Sequence, residues 1–508
     1  MRFLKLAVVC GFAAFASACG TSGMGPGDGD GGGGGGTNPT PASVTVSNTA
    51  TGTFSVAIST SFQPADWDYQ FFQLNPTATT TLGNLGSRHV RLQGIVHGVP
   101  QGSEGTSSTA WDFSMLDAIT QPVLGTGDHS PEFQIAKAPA FMYSSNNSGS
   151  SFVDTSFTEF AGYAQNLVRY YNTGGFTANG RLYDSPAFAN NRYKVTWWGI
   201  YNEPSINNNL DADLYTTMYN AVVPAMQTVD PTIKFAALEL CCGSENWAAT
   251  FAAGVTAQVD VLATHYYSSC NQKDTDAMVM ATVPGFASSV QTIYTNILTN
   301  PSLANVPVWV TENNVNADYS NNGMSNCNPG QVFVEDARGS SPFFAAWRPY
   351  VFSQLGQAGA QALYHWDFGA DKQYGEVDYG TGALQLSYWV DYWLGQELPP
   401  EAGSQLLQFT SSDAADLETL PVLNSDGSVV VMVANHAVRN AADNNGPGLP
   451  FSVTVDISAL GTFSSASQLI IDKDTSVVDG PTETTVTPAA KITMDLNGYS
   501  VGILTLKP

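Results

Sequence analysis

Charged residues are scarce in this chain, and basic residues are the scarcest. Of 508 residues, 12% are charged, and 18 Lys and Arg stand against 43 Asp and Glu, so the formal net charge is −25. So acidic a surface repels a phosphate backbone, and we expect no nucleic-acid partner. The chain has only six histidines and six cysteines, and no histidine lies at metal-ligand spacing from the cysteines. We expect no metal site and no cofactor.

The first apolar run, within MRFLKLAVVCGFAAFASACG, is too short to span a bilayer. Arg2 and Lys5 precede it and small residues end it, which is typical of a secretory signal over residues 1–19. The last four residues, ASAC, resemble a bacterial lipobox in which Ala16 replaces the preferred Leu. We therefore expect an exported protein whose lipid on Cys19 anchors it to the bacterial outer membrane or cell surface, and whose membrane contact is limited to that anchor. Cleavage without lipidation, giving a secreted protein, is the alternative.

A glycine-rich segment follows the signal. Residues 20–42 have little apolar surface to bury, so they predict a disordered tether that is not part of the fold.

Short apolar runs rich in β-branched residues then recur, and helical periodicity follows many of them. The eight predicted strands are Phe54–Ser59, Arg88–Leu92, Ala138–Tyr143, Val195–Tyr201, Ile233–Leu238, Val259–His265, Val306–Thr311 and Gln361–Trp366. Helices predicted between them include Thr155–Tyr171, Asp211–Val229, Gly285–Leu298 and Pro342–Gly359. The alternation predicts an α/β fold, a (β/α)8 TIM barrel within residues 43–398. A doubly wound open sheet is the rival, but no glycine-rich phosphate turn follows these strands.

The residue pattern changes after Leu398. Residues 399–508 alternate Thr, Ser and Val between turns, which predicts a small C-terminal antiparallel β-sandwich. Residues 43–50 alternate in the same way and could add a strand to that sandwich.

Two glutamates lie at the predicted carboxyl ends of strands four and seven, where the active site of a barrel is found. Strand four ends in WWGIYNEP, which includes Glu203, and strand seven ends in VWVTENN, which includes Glu312. Glycoside hydrolysis requires two carboxyl groups that flank the scissile bond. The pair therefore indicates a glycosidase, with surface loop carboxylates as the alternative interpretation.

The Asn-Glu-Pro and Thr-Glu motifs resemble clan A glycoside hydrolases. Further segments, HVRLQGI from residue 89, WDFSMLD from residue 111 and DVLATHYY from residue 260, resemble glycoside hydrolase family 39, which includes β-xylosidases and α-L-iduronidases. The resemblance implies retention of configuration, with Glu203 as acid/base and Glu312 as nucleophile.

The same resemblance suggests substrate-binding and supporting residues. Arg91 and Tyr267 match positions that hold the nucleophile, and Asn202 matches the contact to the sugar 2-hydroxyl. His265 is either a substrate contact or a satisfied core histidine, and Trp366 is the expected aromatic floor of the sugar site. The chain departs from the family at Gln93, where His is common, and at Asn313, where Trp is common, so the sugar stays open.

Four cysteines remain once Cys10 and Cys19 are assigned to the signal and anchor. Cys241 and Cys242 follow strand five, Cys270 follows strand six and Cys327 follows strand seven, so all four are expected above the active-site rim. Export permits disulfides, and a Cys270–Cys327 bridge joins neighbouring loops. The sequence leaves three connectivities open.

The sequence therefore predicts a retaining glycoside hydrolase that cleaves β-glycosidic bonds of an extracellular oligo- or polysaccharide. Two alternatives remain open: a catalytically silent glycan-binding lipoprotein on a barrel scaffold, and a transglycosidase that shares the covalent intermediate. The expected partner in each case is a carbohydrate.

Overall fold

The computed structural model describes most of the chain beyond the predicted tether. The described residues are 38–63, 70–94, 111–127, 130–144, 151–186, 194–206, 210–241, 245–297 and 300–508. The predicted signal, Cys19, most of the tether and Cys242 lie outside them. Within these ranges, no helix has both the length and the apolar character needed to cross a membrane.

The strands and helices follow one another in chain order. The strands are β1 Thr40–Thr53, β2 Ala57–Phe62, β3 Val90–Gly94, β4 Glu132–Ile135, β5 Phe176–Ala178, β6 Arg181–Tyr183, β7 Trp197–Ile200, β8 Lys234–Cys241, β9 Val261–Ser269, β10 Val308–Asn316, β11 Ser320–Asn321, β12 Met324–Ser325, β13 Ala362–His365, β14 Gly369–Ala370, β15 Val377–Asp378, β16 Gln405–Ser411, β17 Leu417–Leu423, β18 Val429–Asn435, β19 Phe451–Asp456, β20 Ser465–Ile471, β21 Thr484–Val486, β22 Lys491–Leu496 and β23 Ser500–Lys507. The α-helices are α1 Phe71–Leu74, α2 Ala78–Leu85, α3 Ser114–Gly125, α4 Thr158–Asn172, α5 Ala212–Gln227, α6 Glu245–Gly254, α7 Asp276–Ala281, α8 Val283–Ile297, α9 Pro342–Gln357 and α10 Leu386–Glu397.

Eight strands close into a barrel in the order β10-β13-β2-β3-β4-β7-β8-β9. Every neighbouring pair in it is parallel. The predicted fold class is therefore confirmed. Local signals agree with it: Asp211 caps α5 by accepting the backbone N–H of Leu214, and Pro342 occupies the first turn of α9.

The prediction of strand three was wrong. The barrel strand is β4, and the segment predicted as a strand contains a 3-10 turn at Ala140–Met142 instead. Pro139 precedes that turn and has no N–H to give to a strand ladder. The true strand contains two buried polar residues, Glu132 and Gln134, which face the barrel lumen and conceal the apolar signal.

The C-terminal unit is a curled sheet of nine strands in the order β21-β20-β23-β18-β17-β16-β1-β19-β22. Its two halves enclose a separate apolar core that includes Val44, Val453 and Leu504, as in a β-sandwich. The N-terminal strand β1 lies inside this sheet, antiparallel to β16 and parallel to β19. Because β1 begins at Thr40, residues 40–42 of the predicted tether are strand.

Asp276, at the start of α7, links the barrel to the sandwich. Its carboxylate accepts the backbone N–H groups of Asn445 and Gly446, both at 2.8 Å, and the hydroxyl of Tyr499 at 3.1 Å. Arg338 Nη1 lies 3.5 Å from the same carboxylate. The side chain is fully buried, so its loss would leave several polar groups without a partner.

We predict that Asp276→Ala lowers the free energy of unfolding by about 3 kcal/mol, because it removes a buried charge with several donors. Tyr499→Phe removes only one hydroxyl and should cost about 1 kcal/mol. Urea unfolding followed by circular dichroism measures both. Equal costs for the two variants would show that Asp276 does not hold the two units together.

Candidate active site

Glu203 and Glu312 lie at the carboxyl-end rim of the barrel, Glu203 just beyond β7 and Glu312 on β10. Glu203 has a left-handed backbone with φ of 43°, and its N–H donates to the carbonyl of Glu239 at 3.0 Å. Glu312 follows a register break in the pairing of β10 with β9, between Val310 and Glu312. Irregular backbone of this kind re-aims a side chain at a strand end. One carboxylate oxygen of Glu203 and one of Glu312 lie within 4.8 Å of each other.

Arg91 is the fully buried centre of the site. Its Nη1 donates to Glu312 Oε1 at 3.0 Å, and its Nη2 donates to Asn202 Oδ1 at 2.9 Å and to Glu239 Oε2 at 3.2 Å. Its Nε lies 3.8 Å from Glu132 Oε1. The guanidinium thereby connects β10, β8 and β4, which carry Glu312, Glu239 and Glu132. It also holds the amide of Asn202 in place.

His265 lies between the two rim glutamates. Its Nδ1 is 2.9 Å from Glu203 Oε1 and 3.5 Å from Glu312 Oε2, and its Nε2 is 3.0 Å from Glu239 Oε2. Burial lowers the pKa of His265, but the charge of Glu312 and the hydrogen bonds to Glu203 and Glu239 outweigh it and raise the pKa to about 10. The residue therefore contacts carboxylates directly, and these carboxylates favour its charged form.

The remaining predicted residues also lie at this end of the barrel. Tyr267 donates its hydroxyl to Glu312 Oε2 at 2.9 Å. Trp366 is partly exposed, and the guanidinium of Arg91 lies 5.9 Å from its ring centroid. Gln93 is buried on β3, and its Oε1 has no hydrogen-bond partner among the described residues.

Sequence reasoning missed Glu239 and Glu132, two buried carboxyl groups below the rim. Glu239 also accepts the hydroxyl of Thr311 at 2.6 Å, and Tyr364 donates to Glu132 at 3.1 Å. Burial would raise the pKa of Glu239, but Arg91 and His265 lower it below its usual range. Burial and the charge of Glu239 raise the pKa of Glu132 well above its usual range. A glutamate inside the apolar run of β8 was the signal that could have found Glu239.

Burial raises the pKa of Glu312, and the positive charges of His265 and Arg91 oppose that rise. The hydrogen bond from Tyr267 opposes it as well. Cationic and neutral donors therefore favour the ionised form of this carboxyl group.

Cys270 and Cys327 form a disulfide between the loops that follow β9 and β10. Cys241 ends β8 and is also disulfide-bonded. The hairpin of β11 and β12, which precedes Cys327, is therefore fastened to the loop after β9.

Two groups of side chains have the spacing to hold a metal ion, namely Glu203, His265 and Glu312 at the rim and His365, Glu376 and Asp391 beneath it. A guanidinium already neutralises each group: Arg91 bonds to Glu312, and Arg348 donates to both oxygens of Asp391 at 2.9 and 3.0 Å. A divalent cation would be repelled by these neighbours. Both sets fit ion-pair networks better than metal sites.

No protein-family model and no curated protein matches the sequence. Solved structures do match in fold. The α-L-arabinofuranosidase from Thermotoga maritima has a TM-score of 0.63 at 14% identity, over 92% of this chain and 100% of that chain. The catalytic domain of GH30 xylanase C from Talaromyces cellulolyticus has a TM-score of 0.60 at 15% identity, over 92% and 100%.

A monomeric β-xylosidase from Caulobacter crescentus has a TM-score of 0.63 at 13% identity, over 92% of this chain and 99% of that chain. All three names denote glycoside hydrolases. At these identities the likeness shows the shared fold, a barrel with a C-terminal β-sandwich. Membership of family 39 stays a prediction.

We predict that Tyr267→Phe raises the pKa of Glu312, because it removes a hydrogen bond to the ionised form. The pKa of Glu312 is measured by a 13C NMR titration of the carboxyl carbons, in which the Glu312 signal is identified by its loss in Glu312→Gln. Tyr266→Phe is the matched control, since the hydroxyl of Tyr266 bonds to Ser268 and Thr282 instead. An unchanged Glu312 titration in Tyr267→Phe would contradict the role given to that hydroxyl.

Proposed function

We propose that this protein is a retaining glycoside hydrolase that cleaves β-glycosidic bonds of an extracellular oligo- or polysaccharide by double displacement. The observation that carries the proposal is the approach of Glu203 and Glu312 to within 4.8 Å. Carboxyl groups about 5 Å apart allow direct attack on the anomeric carbon, whereas inversion needs room for a water molecule between them.

The two glutamates have different surroundings that suit different roles. Glu312 accepts hydrogen bonds from Arg91 and Tyr267, which favour the ionised form that attacks the anomeric carbon. Glu203 protonates the departing oxygen as the glycosidic bond breaks. It then accepts a proton from the water that hydrolyses the ester of Glu312.

Pentose-containing glycans are the first substrates to test. The named structural neighbours are an arabinofuranosidase, a xylanase and a xylosidase. A neutral sugar also suits a chain with few basic residues, since an acidic sugar would need cations to bind it. Asn202, held by Arg91 at the rim, would contact the sugar 2-hydroxyl, and Trp366 would support the sugar ring.

The test is hydrolysis of aryl β-D-xyloside, β-D-glucoside and α-L-arabinofuranoside substrates and of xylan and arabinoxylan. Glu312→Gln should lower kcat on the order of 10⁴-fold, and Glu203→Gln about 10²- to 10⁴-fold on substrates with poor leaving groups. Glu401→Gln, which changes an exposed glutamate between the barrel and the sandwich, is the matched control. Full turnover by either rim variant would refute the assignment.

Product stereochemistry and acceptor competition separate the alternatives. NMR of the first product should show retained configuration, and inversion would exclude Glu312 as nucleophile. Binding of a glycan with no turnover of any substrate would favour the silent glycan-binding protein. Transfer to an added sugar in preference to water would favour the transglycosidase.

We also propose export and lipid anchoring through Cys19, a proposal that rests on the sequence alone. In a bacterial host that processes lipoproteins, the protein should incorporate labelled palmitate and sediment with membranes. Cys19→Ala should abolish both, whereas Cys10→Ala, within the removed segment, should leave both unchanged. Labelling that persists in Cys19→Ala would place the lipid elsewhere.

A further inference from the structure

Glu239 is fully buried, and the local backbone is shaped around it. The pairing of β8 with β9 breaks register between Ala237 and Leu240, and both Leu238 and Glu239 have positive φ, at 83° and 46°. Such conformations are costly for residues other than glycine and persist where their surroundings impose them. The carbonyl of Glu239 also accepts the N–H of Glu203 at 3.0 Å. Glu239 therefore helps to set the backbone of the proposed acid/base.

The absence of a side chain at Gly199 leaves room in the barrel lumen for the carboxylate of Glu239. A Cβ at that position would lie 3.3 Å from Glu239 Oε1 and 2.7 Å from Cγ of Gln134. The other oxygen, Oε2, accepts three hydrogen bonds. The donors are Thr311 Oγ1 at 2.6 Å, His265 Nε2 at 3.0 Å and Arg91 Nη2 at 3.2 Å.

Charged groups face the His265 ring from three neighbouring strands or their ends. Glu239 on β8 meets Nε2, Glu203 beyond β7 meets Nδ1, and Glu312 on β10 lies 3.5 Å from Nδ1. Arg91 on β3 bonds to both Glu239 and Glu312. The carboxylates of Glu239 at Nε2 and of Glu312 near Nδ1 favour the imidazolium, in which both nitrogens carry a proton and donate.

We propose that Glu239 is a positioning residue for the acid/base step: it keeps His265 as a two-sided donor, so that Nδ1–H always bonds to Glu203 Oε1. The catalytic proton of Glu203 is then confined to Oε2. This inference rests on the proposed function and adds to it a residue that never touches the substrate.

The proton and electron pairs balance without any further reactant. In the first step, the proton on Glu203 Oε2 moves to the glycosidic oxygen, the bond from that oxygen to the anomeric carbon breaks, and Glu312 bonds to the carbon. In the second step, water attacks the carbon, Glu203 Oε2 takes its proton and the ester breaks. His265 keeps both protons throughout.

The first test is Glu239→Gln, which retains volume and an acceptor for Nε2–H but removes the charge. Burial then favours a neutral His265 ring with a proton on Nε2 alone. Its Nδ1 becomes a hydrogen-bond acceptor and holds the proton of Glu203 on Oε1 instead of Oε2. We expect kcat/KM for a phenyl glycoside, a poor leaving group, to fall about 10²-fold relative to a 2,4-dinitrophenyl glycoside, which needs no acid. An equal fall on both substrates would overturn the proposal.

Glu418→Gln is the matched control, because it changes a buried glutamate whose partners are Ser353, Gln354 and Gln357 on α9, away from the rim. In this variant, the ratio of kcat/KM for the phenyl glycoside to kcat/KM for the 2,4-dinitrophenyl glycoside should equal that of the unaltered protein. His265→Gln should reproduce the change in ratio, and the double variant should add little to either single one. Additive losses would show that Glu239 does not act through His265.

The second test needs no variant to be active. In 15N NMR of the unaltered protein, with its six histidines assigned by substitution, both ring nitrogens of His265 should be protonated at pH 7. A neutral ring would overturn the proposal whatever the activity. Conversely, a chain that hydrolyses no glycoside but has a charged His265 would fail the proposed function alone.

Discussion

The charges buried beneath the rim constrain everything built above them. Burial of an isolated carboxylate or guanidinium costs several kcal/mol, so each charge needs partners at hydrogen-bond distance. Arg91 supplies one positive charge to Glu239 and Glu312, and His265 supplies a second. Glu132, whose pKa is raised by burial and by Glu239, adds no third negative charge when it is protonated. Two positive charges thus match the ionised Glu239 and Glu312.

Much of this arrangement follows from rules that a sequence displays. A barrel places its chemistry at the carboxyl ends of strands, so Glu203 and Glu312 could be found from strand position and residue type. The four named predicted helices overlap α4, α5, α8 and α9, and side-chain caps at Asp211 and Ser341 mark the starts of α5 and α9. Strand β4 was not found, since Glu132 and Gln134 face a polar lumen that apolar patterns do not describe.

The contacts of His265 and Glu239 could not be predicted for a different reason. Both depend on register breaks within β8 and β10, each of which places one extra residue on its strand relative to β9. Alternation along a strand predicts the face on which each side chain lies. A register break moves the following side chains to the other face but leaves the composition unchanged, so the sequence pattern does not reveal it. The contacts of His265 with three glutamates are therefore visible in the folded structure and not in the sequence pattern.

Glu239 also explains how the site remains balanced when the charge of Glu312 disappears. In the proposed covalent intermediate, Glu312 is an ester and no longer offsets Arg91 or His265. Arg91 still donates to Glu239 and to Asn202 Oδ1, and His265 still bonds to Glu239. Glu203 is by then a carboxylate, so the negative charge has moved from one side of His265 to the other. Glu239 stays negative below the rim and His265 stays positive between the two glutamates, so the negative charge can move from Glu312 to Glu203 without rearrangement of the buried groups. Electrostatic catalysis requires preorganisation of this kind.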